Sequence, residues 1–154
     1  MNIVDELHAV TGALRAAAIP YAVCGGIAVT AHGATRTTKD IDILVERSHV
    51  APALAAVAGI GYTIPAQPMT FDEGTPRERH VQRVSKIVGR DHLVIDFLVA
   101  EAGLAGTLDG RIDVPLPGGV VTFVARETLL RMKRMAGRPI DLADIEKLEH
   151  DDGP

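Results

Sequence analysis

One cysteine, Cys24, is all the chain has, which excludes an internal disulfide framework and a cysteine-rich zinc site. Aromatic residues are only 3% of the 154 residues, so Ala, Val, Leu and Ile must fill the interior. No apolar run reaches membrane-spanning length. The first residues lack the basic-then-apolar order of a signal peptide, so a cytoplasmic address is expected. There is no excess of positive charge either: the net charge is −4, which argues against a general nucleic-acid coat protein. Internal repeats and low-complexity linkers are also missing.

What remains is an ordinary globular composition, 47% hydrophobic and 23% charged, and a length that fits one domain. We expect that domain to span 1–150. Residues 151–154 follow a run of acids at a helix end, where negative charge opposes the macrodipole, and read as a frayed tail.

The order of elements points to an α+β (mixed α/β) fold. Ile3, Leu7, Val10 and Leu14 recur at helical spacing, with Asn2 as cap and Pro20 as the stop. Residues 21–24 read as a short buried strand, and Gly25-Gly26 open a second helix that Gly33 stops. Residues 40–46 alternate as a strand. Ser48 is expected to cap an alanine-rich helix ending near Gly59-Ile60-Gly61. Residues 65–76, with three prolines and one glycine, read as loop. Two hairpins follow: 79–88 with 92–99 around Gly89-Arg90-Asp91, and 111–116 with 120–124 around Pro117-Gly118-Gly119. Helices over 126–136 and 141–149 close the chain. Strands joined by hairpins exclude a regular parallel sheet.

The chemistry concentrates in "YAVCGGIAVTAHGATRTTKDIDILV", residues 21–45. On a strand, residues two apart share a face, so Asp40 and Asp42 project together. Carboxylates so close raise each other's cost of ionisation. A hard cation such as Mg²⁺ offsets that, using carboxylates together with substrate phosphates. The plainer alternative is a solvated pair at a strand's start. A third acid weighs against it: Asp96 is the one charge in His92-Leu93-Val94-Ile95-Asp96-Phe97-Leu98-Val99. It joins the cluster if its strand lies beside 40–46; otherwise it pairs with an arginine. Gly25 and Gly26 let backbone N–H groups approach a phosphate closely, or simply make a tight strand-to-helix turn. Together these features describe metal-assisted phosphoryl chemistry. Arg36 and Lys39 can meet a phosphate or remain solvated, and Thr38 can bond a phosphate oxygen or cap its loop. Cys24 reads as core. His32, His80 and His92 lack ligand spacing.

Gly25-Gly26, thirteen residues, then Asp40-Ile41-Asp42 resembles the signature of the DNA polymerase beta-like nucleotidyltransferase superfamily. The string Arg36-Thr37-Thr38-Lys39-Asp40-Ile41-Asp42 is similar to the branch of minimal nucleotidyltransferases and abortive-infection type toxins. Lys133-Arg134-Met135-Ala136-Gly137-Arg138, followed by Asp141 and Asp144, resembles that branch's helical segment, although Ile140 stands where the branch often has lysine. The resemblance implies a mixed sheet flanked by helices. It implies two Mg²⁺ ions (or Mn²⁺) on Asp40 and Asp42. Asp96 would hold one ion and act on the acceptor hydroxyl, and the Gly25-Gly26 backbone would cradle the triphosphate. It raises Lys133, otherwise an exposed lysine, to a phosphate contact. The implied reaction moves a nucleoside monophosphate from an NTP to an acceptor hydroxyl and releases pyrophosphate. RNA, a protein or a small molecule can fill the acceptor role. A homodimer or an antitoxin-like protein partner is expected over the open cleft. The alternative is a non-catalytic relative that binds and regulates a partner; its usual sign, a lost carboxylate, is missing.

Overall fold

The computed structural model describes residues 2–33 and 39–150. Arg36, Thr38 and the expected frayed tail lie outside the described residues. Helix α1, Ile3–Ala16, starts as its sequence dictates: the Asn2 side chain accepts from the Val4 N–H at 2.9 Å. Its Leu7, Val10 and Leu14 are buried. Strand β1 is Ala22–Cys24, helix α2 is Gly25–Ala31 and strand β2 is Asp40–Val45.

The next segment departs from expectation in two places. Ser48 does not cap a helix. It lies in a 3₁₀ turn, Arg47–His49, and α3 (Val50–Ala58) follows His49 with no side-chain cap. Residues 65–76 are not all loop, since β3 (Ile64–Pro65) and β4 (Met69–Phe71) fall within or beside them. Both pair with β5, Arg79–Val88, whose outer edge would otherwise leave its N–H and C=O groups unpaired. Pro65 is tolerated because an edge position asks no outward donor of it.

The first hairpin joins β5 to β6, Asp91–Val99, and the second joins β7 (Ile112–Leu116) to β8 (Gly119–Phe123). Helices α4 (Arg126–Ala136) and α5 (Pro139–His150) follow. Helix α5 begins two residues before the expected 141, since proline suits a first helical position, where no N–H is needed. Among the described residues the strands make one mixed sheet in the order β3-β5-β6-β2-β1-β8-β7, with β4 also on β5. Strand β2 runs parallel to β6, β1 runs parallel to β8, and the other pairs are antiparallel.

The alternation expected of β2 sorts its side chains. Ile41, Ile43 and Val45 are buried with Ile95 and Phe97 of β6 in the core that also takes Leu7, Val10 and Leu14 of α1. Asp40, Asp42 and Asp96 are left for the other face. No helix among the described residues is long and apolar enough to cross a membrane.

Candidate active site

Strand register assembles the site. Cys24 of β1 stands opposite Asp42 of β2, Asp42 opposite Asp96 of β6, and Asp96 opposite Arg83 of β5. One cross-strand row therefore reads Cys, Asp, Asp, Arg. Asp40 lies two residues before Asp42 on the same face, at the strand's exposed start. Both readings of Asp96 hold together. It lies in the carboxylate row, and Arg83 grips it with two bonds, Nε to Oδ1 at 2.8 Å and a terminal nitrogen to Oδ2 at 3.0 Å.

Asp42 carries the strain of this arrangement. Burial, then the charges of Asp96 and Asp40, push its carboxyl up to about 7, against a smaller pull downward from Lys133 and Arg138. Beside it, burial pushes the Cys24 thiol up, with Asp42 adding to the shift. Cys24 is core, as its sequence context suggests.

Gly25 has φ +68°, in the left-handed region. A Cβ there would overlap the Asp42 Oδ2 and come within 2.8 Å of the carboxyl carbon. The glycine is thus required by the carboxylate as much as by the turn. Helix α2 is only seven residues long, so any phosphate affinity at its start would come from its first backbone N–H groups more than from a long dipole.

Lys133 is where expectation and structure part furthest. It is not an exposed lysine: its side chain is 7% exposed and lies between two carboxylates that are each 1% exposed, Asp141 at 3.3 Å and Asp144 at 3.2 Å. Arg138 completes the group, its Nε donating to Asp141 Oδ2 at 2.7 Å and its terminal nitrogen to Oδ1 at 3.2 Å. Two cations balance two anions, which a buried cluster needs. Burial alone would raise the Asp141 carboxyl. The Arg138 hydrogen bonds and the charges of Lys133 and Arg138 outweigh it and leave Asp141 below the usual carboxylate range. Lys133 and Arg138 still line the same cleft as Asp40, Asp42 and Asp96.

That cleft, about 530 Å³, is bounded by Gly25 and Gly26 at its floor, by α4 and the start of α5 on one side, and by β4, β5 and β6 on the other. Among the described residues no three His, Cys, Asp or Glu side chains already converge as a closed metal-binding group. The donor set nonetheless suits a hard cation. Asp42 is held against its own ionisation by burial and by the neighbouring carboxylates, and a divalent ion would offset both. Each Asp96 oxygen has two lone pairs, so the Arg83 fork leaves one on each for a metal. Lys39 is exposed at the mouth of β2. His32 and His80 bond within the fold, to the Val124 carbonyl at 2.9 Å and to Glu78 at 3.0 Å.

Arg83, Arg138, Arg79 and Phe71 line this cleft and were not legible as site residues. The alternation of 79–88 was the available signal for Arg79 and Arg83, but only the register to β6 shows which face is the cleft.

No family profile and no curated protein matches the chain. Solved structures do. The lincomycin-bound lincosamide antibiotic adenylyltransferase LnuA superposes with a TM-score of 0.60 at 14% identity, covering 94% of this chain and 95% of that one. ANT(2")-Ia in complex with adenylyl-2"-tobramycin gives a TM-score of 0.62 at 15% identity, covering 99% of this chain and 91% of that one. Similarity at this identity speaks to architecture over nearly the full length of both partners: the chain has the fold of the nucleotidyltransferases.

Proposed function

We propose that this protein is a metal-dependent nucleotidyltransferase that moves a nucleoside monophosphate from an NTP to an acceptor hydroxyl. The observation that carries the reading is the Asp42–Asp96 pair on adjacent parallel strands, with Asp40 on the same face, opening onto the cleft beside Gly25. Asp40 and Asp42 would hold Mg²⁺ or Mn²⁺, with Asp96 joining them. Such ions, when bound, neutralise phosphate oxygens and stabilise charge that develops in the displacement. The chain's own groups do the rest. Gly25 and Gly26 offer backbone N–H groups to the triphosphate. Lys133 and Arg138, both ion-paired to the α5 carboxylates, line the cleft as donors beside it, and Arg36 and Thr38 precede the carboxylates as further phosphate contacts. Arg83 fixes the Asp96 carboxylate in one orientation.

In the transfer the acceptor oxygen bonds the α-phosphorus as the bond to the β-phosphate oxygen breaks. Pyrophosphate leaves, and Asp96, the carboxylate farthest toward β5, accepts the hydroxyl proton. Positioning and charge stabilisation supply most of such catalysis. A toxin role, with an antitoxin-like partner or a homodimer covering the cleft in the cytoplasm, is supported by the resemblance of residues 36–42 alone.

Asp40→Ala or Asp42→Ala should abolish transfer of label from α-labelled NTP while circular dichroism stays that of wild type. Wild-type turnover in either variant would refute the metal assignment. A non-catalytic relative would transfer no label in any form.

A further inference from the structure

The carboxylate row has an apolar extension. On β5, Arg83, Val81 and Arg79 alternate and so share the face of Asp96. Val81 stands opposite Leu98 on one side and Met69 on the other, and Arg79 opposite Phe71. Met69, Phe71, Val81 and Leu98 therefore form an apolar wall that begins beside Asp96 and lines the cleft. Phe71 is 44% exposed. The Arg79 guanidinium lies 5.6 Å from its ring centroid.

The wall is built rather than loose. The Gly103 N–H donates to the Glu78 carbonyl at 2.8 Å, and a Cβ at Gly103 would press to within 2.8–3.1 Å of the backbone of 76–78. Gly74 donates to the Glu78 carboxylate at 2.9 Å, and the Thr75 hydroxyl to the Asp72 carbonyl at 2.7 Å. These bonds fix the segment that carries Asp72 and Arg79.

Its charges cancel locally. Arg79 pairs with Asp72 at 2.8 Å and Arg83 with Asp96 at 2.8 Å. Of the charged residues that line the cleft on β5, β6 and the turn after β4, each carboxylate carries a guanidinium and each guanidinium a carboxylate, so neither a polycation nor a polyanion finds an unmatched partner among them. A neutral body with an apolar face disturbs neither pair and takes surface on Met69, Val81 and Leu98 out of water.

We propose that this β4–β5 wall is the acceptor subsite, and that it takes a small neutral hydroxyl compound with an apolar or aromatic face. The inference rests on the nucleotidyltransferase reading. Asp96 marks the junction: phosphate groups gather on the Gly25, Lys133 and Arg138 side, and the acceptor hydroxyl comes to Asp96 from the Phe71 side.

The test uses the full chain. Calorimetry with Mg²⁺ and a non-hydrolysable NTP first establishes nucleotide binding; failure there overturns the nucleotidyltransferase reading and this inference with it. Label transfer from each NTP is then followed to three acceptor sets: aryl glycosides, polycationic aminoglycosides and RNA. The wall predicts label on aryl glycosides only. Phe71→Ala, a change at an exposed side chain, should raise the acceptor KM about tenfold and leave the NTP KM within about twofold. Label on aminoglycosides or RNA, label on no set while nucleotide binds, or equal changes in both KM values would overturn the assignment.

Discussion

The two walls of the cleft hold their charges in opposite ways. On the α4–α5 side Lys133, Asp141 and Asp144 are buried together and join two helices, while the Arg138 guanidinium, 68% exposed, reaches Asp141 from solvent. On the β4–β5 side each pair keeps one wet member, Arg83 or Asp72 at 42% exposed, against a more buried partner, Asp96 at 14% or Arg79 at 17%. A buried cluster cannot lose one member without stranding another, whereas an exposed pair is replaced by water at little cost. The first wall is therefore tied to stability and holds its Lys133 ammonium in one place on the cleft. The second can change with little penalty to the fold, as a wall that selects an acceptor should.

Replacing Lys133 breaks this contrast most severely. Lys133→Ala leaves Asp141 and Asp144 facing each other in the interior and should cost about 3–5 kcal/mol, read from urea unfolding. A loss no larger than that of an exposed lysine would mean the cluster is wetter than its burial indicates. Gly25→Ala, at the floor between the walls, should cost about 1–3 kcal/mol through positive φ and should displace the Asp42 carboxylate that its Cβ overlaps. Transfer should fall with it; wild-type activity would show that the carboxylate tolerates the shift.

Acid titration sharpens the same contrast. Asp141 is held below its ordinary value in the folded state. Its stabilisation is complete above the unfolded value of about 4 and is lost as pH falls through the lower folded value. Stability of wild type should thus drop on acidification below about pH 4, and Asp141→Asn should flatten that limb. An unchanged limb would assign acid sensitivity elsewhere. The smallest effect belongs to the other wall: Asp72→Asn, at the exposed member of its pair, should move stability by at most about 1 kcal/mol, and a loss as large as that of Lys133→Ala would erase the distinction between the walls.

How much of this was legible depended on whether a feature is local. Asn2, Leu7 and Leu14 declare α1 by spacing. Ile41 and Ile43 against Asp40 and Asp42 declare both a strand and its polar face, and Asp96 stands out as the one charge in an apolar run. The rest needed tertiary pairing. Met69–Phe71 is too short to show alternation and is flanked by prolines; it is a strand because β5 had an open edge. Lys133 lies off the apolar stripe of Leu129, Met132 and Ala136, and only the return of α5 brings Asp141, eight residues on, against it. Arg83 reads as one charge in a hairpin arm until register sets it opposite Asp96. Ser48 had the chemistry of a cap, yet the chain passes through a 3₁₀ turn before the helix begins.

The central claim is that the carboxylate row binds a metal–nucleotide complex, and thermal unfolding tests it most directly. A ligand confined to the folded state at about 100 times its Kd adds roughly 2.7 kcal/mol, which for a domain of this size raises Tm by roughly 5 to 10 °C. Mg²⁺ with a hydrolysis-resistant NTP should produce that rise in wild type, and the same NTP with chelator far less. Asp42→Asn removes a charge crowded by Asp96 and Asp40, so without metal it should melt no lower than wild type, yet lose most of the rise. A wild-type Tm that stays fixed across all four NTPs, with Mg²⁺ or Mn²⁺, would contradict the account.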